Sequence, residues 1–468
     1  MIKLSNNITN FLITFFLILV YSLFIIINKY YRLANENYLF LIIPISIFLL
    51  CAACYLLLLL SVPINLKIIK KFFLNEYKIL LTICVLILLY SLSYSIVSQE
   101  NTNNSATLKN FFNHEGLEDF FYKNYIIFFL LVFIVNIFLV KQLKIQEKQI
   151  FFILLSFSIF FLTISILQNI IYFSKINNLS RYITDMDNCT YFQFLPFAVE
   201  GKRNFEILPF LIGYILTLGI YKNKFILINT TFFIACFLTY SKNLWIAIIF
   251  INITSFFLYN KINILKFFIF KIIILLLTII SLNFIFETFD KKCNPNIKDY
   301  TIIKIFSLIG ISQNELINSV KMDSLKKMSS FRLKVITNNE DEFLKRVEYL
   351  LDSTAPRIEI YKESVKKISK KILLGYGSNN FKLSSNNSSN SESEPLKILL
   401  DLGIIGLLVW INLYFQLLKS CKTKWSLLLI LSILSLSAFN IYSWFLPTYF
   451  IVTSIIFFEN NERHKSIL

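Results

Sequence analysis

A polar insertion running from about Thr288 to Leu400 interrupts a chain otherwise built of apolar runs, and its chemistry-bearing residues are mostly basic. Arg357 opens the string Arg357-Ile358-Glu359-Ile360-Tyr361, and Lys362, Lys366, Lys367, Lys370 and Lys371 follow within about three helical turns. Cations at that density suit an anionic partner, either lipid head groups or a phosphorylated substrate. Gly375-Tyr376-Gly377 closes the string, and the chain re-enters an apolar run near Gly403.

The elements that must carry these residues follow from local signals. Thr354 suits an N-cap, Pro356 a first turn and Gly375 a stop, so a helix is predicted over 356–374. Ile358, Tyr361, Val365, Ile368 and Ile372 recur at the spacing of one buried stripe and leave the lysines on the other face. Such a helix can lie along a membrane surface, with Arg357 at its start near the outer mouth of a bundle. Glu340–Leu351 and Asn314–Met328 are expected to be helical, and the Ser/Asn/Glu tract Ser384–Glu394 is expected to be a solvated loop. Gly403 and Gly406 open the span that follows.

Composition fixes the class. The chain has 468 residues, of which 56% are hydrophobic and 17% aromatic, with a mean hydropathy of +0.65. That is more apolar surface than a soluble core of this length can use. We expect an all-α polytopic transmembrane helical bundle of about twelve spans, since roughly 20 helical residues cross a bilayer. The expected spans are 11–28, 38–61, 79–97, 125–140, 150–173, 205–220, 225–240, 244–258, 265–286, 402–418, 425–439 and 444–458. Lysines gather in alternate short loops (Lys67, Lys70, Lys71 and Lys78; Lys141, Lys144 and Lys148; Lys222 and Lys224; Lys419, Lys422 and Lys424), which places both termini in the cytoplasm and the insertion outside. The domain reading is an N-terminal transmembrane bundle at 1–287, an outer loop at 288–400 and C-terminal transmembrane helices at 401–468.

A net charge of +18 invites a nucleic-acid reading, but topology accounts for most of the lysines and no nucleic-acid partner is expected. Cys189 and Cys293 both fall in outer loops, where a disulfide is chemically permitted. Cys51 and Cys54 lie in an apolar run and are expected to pack rather than do redox chemistry.

The strings RIEIYKESVKKISKKILLGYGSNNF (Arg357–Phe381) and EPLKILLDLGIIGLL (Glu394–Leu408) resemble the signature region of the O-antigen ligase and O-antigen polymerase superfamily of bacterial membrane glycosyltransferases. GKRNFEILPFLIGY (Gly201–Tyr214) and LTYSKNLWIAIIF (Leu238–Phe250) resemble earlier segments of that family, with Lys242 where the family carries Arg. The resemblance covers roughly residues 200–410 and implies transfer of a glycan from an undecaprenyl-diphosphate-linked donor to a sugar hydroxyl, on lipid A–core or on another repeat unit. A leaving diphosphate develops negative charge, and Arg203, Lys242 and Arg357 are the cations implied for it. The ligases carry a His shortly before the Leu-rich run, where this chain has Glu392, Ser393 and Glu394, so Glu392 and Glu394 are the candidate general bases. No metal or cofactor is implied, and membrane lipids are expected partners.

Other readings stay open. Arg357 could pair with Asp352, Arg203 and Lys242 could be interfacial anchors, and Gly375 and Gly377 could simply end a helix. A lipid-linked oligosaccharide flippase or another polytopic transporter would also have many spans, but transporters tend to carry ionisable residues within them. A scaffold or regulator without activity is a further reading.

Overall fold

A backbone surrounded by hydrocarbon must satisfy its own N–H and C=O groups, and a helix does so within one segment. The computed structural model describes residues 6–34, 42–62, 66–75, 77–100, 130–131, 134–139, 142–143, 147–173, 207–218, 223–239, 241–259, 263–289, 354–377, 393–421 and 423–439. Every regular element among the described residues is helical. In chain order the helices are α1 (Asn6–Ala34), α2 (Ile42–Ser61), α3 (Leu66–Asn75), α4 (Tyr77–Glu100), α5 (Glu147–Phe173), α6 (Leu208–Leu218), α7 (Asn223–Leu238), α8 (Lys242–Tyr259), α9 (Asn263–Phe289), α10 (Thr354–Ile368), α11 (Glu394–Ser420) and α12 (Lys424–Phe439). Among the described residues, Lys148–Leu167 and Glu394–Lys419 are long and apolar enough to cross a bilayer, with shorter apolar stretches in α1, α2, α4, α6, α7, α8 and α12. The all-helical class stands, while these lengths do not establish a count of about twelve spans. The expected helices Glu340–Leu351 and Asn314–Met328, the span 444–458, and Cys189 and Cys293 lie outside the described residues.

Many of these helices are apolar all round, the pattern of a membrane span or of a buried core helix. On α2, Cys51, Cys54 and Leu58 are buried, while Phe48, Leu49, Leu50, Leu56, Leu57 and Leu60 are exposed. The buried side packs on α1, where Phe16 stacks on Tyr55 with ring centroids 5.3 Å apart. Hydroxyls in the apolar helices donate back to their own helix, as Thr82 does to the Lys78 carbonyl (2.8 Å) and Ser165 to that of Phe161 (3.0 Å). This removes the penalty of an unsatisfied polar group in an apolar medium.

The basic loop expected around Lys67–Lys78 contains α3. Its Phe72 is buried, edge-on to Phe138 at 5.3 Å, while Lys67, Lys70 and Lys71 stay exposed. A buried aromatic in a basic segment is a signal that lysine counting overlooks.

The chain forms two compact units, one of Met1–Leu154 with Arg357–Leu468 and the other of Leu155–Pro356. In the second unit α6 is buried along its whole length. Gly213 makes this possible, because a Cβ there would collide with the ring of Phe232 on α7; small residues let apolar helices approach closely. Tyr214 then ties the unit together: its hydroxyl donates to Asn252 Oδ1 of α8 (2.8 Å), its carbonyl accepts from Asn229 Nδ2 of α7 (2.9 Å), and Lys271 Nζ of α9 lies 3.4 Å from its hydroxyl. Lys271 is buried and sits 4.8 Å from the Tyr214 ring centroid, so an ionisable group does occur within an expected span.

Candidate functional site

Within the first unit the signature strings fold against each other. α10 starts at Thr354, two residues ahead of the predicted start at Pro356, and places Arg357 in its first turn. It ends at Ile368 rather than continuing to Leu374. Lys370 and Lys371 donate to the carbonyls of Lys367 and Ile368, three residues back, and the segment then turns away at Gly375 (φ 69°). The reason lies in α11, whose Gly403 has φ 67° and ψ −165° and breaks the helix into two legs.

A break of this kind orphans carbonyls before it and an amide after it. The 370s turn supplies the partners: Tyr376 N–H donates to the Leu400 carbonyl (2.7 Å), Gly377 N–H donates to the Asp401 carbonyl (2.9 Å), and Ile404 N–H donates to the Ile372 carbonyl (2.8 Å). The two segments interlock so tightly that neither glycine has room for a side chain. A Cβ on Gly375 would come within 2.6 Å of the Leu400 oxygen, and one on Gly403 would run into the Leu373 carbonyl. Gly375 and Gly403 therefore do more than stop or start helices.

Packing extends the interlock along both helices. Ile368 and Leu400 form a buried pair, with Tyr361, Tyr376, Leu396 and Leu399 packed on it. Tyr361 lies one turn beyond Arg357 and Leu396 lies two residues beyond Glu394, so the first half of α10 is held to the first leg of α11. The buried stripe is narrower than predicted: Tyr361 is half-buried and Ser364 and Ile368 are buried, but Val365 and Ile372 are 58% and 50% exposed. Unwinding after Ile368 turns Ile372 off the stripe.

Ser393 takes the N-cap position of α11, and Glu394 is its first residue with Pro395 next. Glu394 is fully buried and accepts a hydrogen bond from Trp410 Nε1 at 2.7 Å. It thus leaves the solvated loop in which the tract 384–394 was expected. A helix N-terminus favours a carboxylate, and the indole N–H adds a second stabilising dipole. One and two turns on, Lys397 and Asp401 form a buried ion pair at 3.2 Å. The buried Tyr90 of α4 lies within electrostatic reach of both Asp401 and Glu394. Asn412 and Gln416 of the second leg donate to Thr82 of α4 (3.2 and 3.3 Å), fixing α11 on that helix. Sequence reasoning passed over Tyr90, Lys397, Asp401 and Trp410; the available signal was Glu394, Lys397 and Asp401 on one helix face of an apolar run.

In the second unit, a tight turn between α7 and α8 places Lys242 at the first position of α8. Thr239 Oγ1 donates to the Cys236 carbonyl (2.7 Å) and accepts from the Ser241 N–H (3.3 Å), while Trp245 Nε1 donates to the Phe237 carbonyl (3.0 Å). Phe237 and Trp245 stack at 5.3 Å across the turn. Lys242 and Arg357 thus both stand in the first turn of a helix, the end at which the macrodipole is positive. Their side chains, and the whole of Arg203 and Glu392, lie outside the described residues.

Residues 227–411 match the family model for O-antigen ligase. Over that stretch the chain is similar to the O-antigen ligase family. The matched stretch runs from α7 to the second leg of α11 and includes both interlocking glycines, the Lys242 turn, Arg357 and Glu394. The family is one of bacterial membrane proteins, and an O-antigen ligase domain implies ligase-like, glycosyltransferase-type chemistry in surface-polysaccharide assembly. No curated protein gives a significant match to the chain.

Proposed function

We propose that this protein transfers a glycan from an undecaprenyl-diphosphate-linked donor to a sugar hydroxyl, on lipid A–core or on another repeat unit, without a metal or cofactor. The observation that carries the reading is the interlock of the Gly375 turn with the Gly403 break, which ties Arg357's helix to the leg that begins at Glu394. In the step proposed, the acceptor oxygen bonds to the anomeric carbon, the carbon–oxygen bond to the diphosphate breaks, and the hydroxyl proton passes to a base. The polyprenyl diphosphate leaves with the negative charge. Arg357, Arg203 and Lys242 neutralise that charge, and the placement of Arg357 and Lys242 at positive helix ends supports the role. Glu392 and Glu394 are the acids available as base. Burial of Glu394 and its bond to Trp410 favour Glu392 as the group that meets the acceptor and Glu394 as the residue that positions it.

The same reading places the protein in the bacterial inner membrane with both termini cytoplasmic. It divides the chain into a bundle at 1–287, a periplasmic loop at 288–400 and a closing bundle at 401–468. A transporter reading is favoured by one observation, the buried Lys271 beside Tyr214. Purified protein given a polyprenyl-diphosphate oligosaccharide, with lipid A–core or a second donor as acceptor, decides between them. Glycosylated acceptor supports the enzyme and tells ligase from polymerase, whereas donor translocation across vesicles without transfer supports the transporter. Glu392→Gln is expected to abolish transfer, and Glu394→Gln to reduce it partially.

A further inference from the structure

The transfer step proposed above does not use the exposed side of α10 and its turn. Lys362, Val365, Lys366, Ser369 and Lys370 line it, and it ends in Lys371-Ile372-Leu373-Leu374. Ile372, Leu373 and Leu374 are 50%, 64% and 64% exposed, an unusual exposure for consecutive large aliphatic side chains. An open groove of about 450 Å³ lies nearby, lined by Tyr361, Lys362, Val365 and Lys366.

The interlock fixes where this patch sits. Ile404 N–H bonds to the Ile372 carbonyl, so the aliphatic turn adjoins the start of α11's second leg. That leg shows an outward apolar stripe of Ile404, Ile405, Leu408, Ile411 and Phe415, the side a membrane helix presents to lipid. Ile372–Leu374 adjoins the start of that stripe, with Lys370 and Lys371 directly before it in the chain and Lys362 and Lys366 further back on α10. Hydrocarbon, then an aliphatic turn, then cations is the order of layers that a bilayer interface with anionic head groups accommodates.

We propose that α10 and its turn form an interfacial anchor: Ile372, Leu373 and Leu374 enter the acyl–head-group boundary, and Lys362, Lys366, Lys370 and Lys371 bind the head groups of anionic phospholipids. Lys371 also lies 5.2 Å from the Tyr376 ring centroid, so its charge is held beside the interlock. Lys367 serves differently, being paired with Glu363 at 3.4 Å. The anchor holds the interlock and the helix bearing Arg357 at the depth of the lipid phosphates.

The test uses full-length protein with a photo-crosslinking benzoylphenylalanine at Leu373, reconstituted in nanodiscs of phosphatidylcholine alone or mixed with phosphatidylglycerol. The same probe at Leu408 is the lipid-facing control, and Val365 is the alternative position if the Leu373 variant fails to fold. Phospholipid adducts are expected at Leu373, with phosphatidylglycerol enriched over its mole ratio by roughly fivefold or more. Combined Lys362→Gln, Lys366→Gln, Lys370→Gln and Lys371→Gln should remove that enrichment while the adducts persist. Leu373 adducts to protein only, while Leu408 captures lipid, would overturn the proposal. So would equal capture of both lipids, or displacement of phosphatidylglycerol by added polyprenyl diphosphate, which would assign the lysines to the donor instead.

Discussion

Gly403→Ala is the most informative perturbation of the interlock. At φ 67° and ψ −165°, Gly403 occupies backbone space essentially reserved for glycine, and holding another residue there costs about 1–3 kcal/mol. The new Cβ would also meet the Leu373 carbonyl and come within 2.6 Å of the Leu374 amide nitrogen. Those are backbone atoms, so no side-chain rotation relieves the contact. If the turn withdraws instead, the bonds Tyr376–Leu400, Gly377–Asp401 and Ile404–Ile372 are lost, each contributing about 1 kcal/mol net. Both routes converge on about 3 kcal/mol, or roughly a hundredfold in the opening equilibrium. Hydrogen exchange on the full-length protein in detergent reads that equilibrium directly. Peptides covering 372–377 and 400–405 should lose protection by roughly that factor, while peptides from α6 and α8 exchange as in wild type. Ser369→Ala, an exposed change in the same turn, should leave exchange unaltered. Wild-type protection in Gly403→Ala would refute the interlock as the device that joins α10 to α11.

Other substitutions test the packing around the site by thermal or denaturant unfolding. Trp410→Phe removes the donor to the buried Glu394 carboxylate and should cost about 1.5–3 kcal/mol. Lys397→Met strands Asp401 without its ion-pair partner and should cost about 3–5 kcal/mol, whereas Lys397→Met with Asp401→Leu should return close to wild type. In the second unit, Gly213→Val drives a side chain into the Phe232 ring and should cost about 1–3 kcal/mol or prevent folding of α6 against α7.

How far such features are legible beforehand depends on whether their cause is local. Thr354, Pro356 and Gly375 act through neighbouring backbone, so the start of α10, to within two residues, and the position of its terminal turn follow from the sequence. The length of the helix does not, because Ile372 gives its carbonyl to Ile404, some thirty residues on. Periodicity likewise marked Ile372 as buried by treating the helix as continuous to Leu374, while Val365, inside the helix, falls on its exposed side. Glu394 looked solvated because its tract is rich in Ser, Asn and Glu; its burial is decided by Trp410 across the Gly403 break and by the packing of α4. Lys397, Asp401 and Lys271 were masked by apolar neighbours, although an ionisable residue inside an apolar run is itself a signal. The turn before Lys242 was visible as a Ser-Lys dipeptide, but the Thr239, Ser241 and Trp245 bonds that shape it were not.

In the mechanism proposed, a cation in the first turn of α10 neutralises a departing lipid diphosphate. The most direct test of that role is glycan transfer by purified wild type and Arg357→Ala, using a polyprenyl-diphosphate donor with lipid A–core or a second donor as acceptor, with hydrogen exchange at 372–377 confirming that the interlock is intact in both. Transfer by wild type is expected, and its loss in Arg357→Ala with wild-type protection. Undiminished transfer by Arg357→Ala, or none by a folded wild type with either acceptor, would contradict that role.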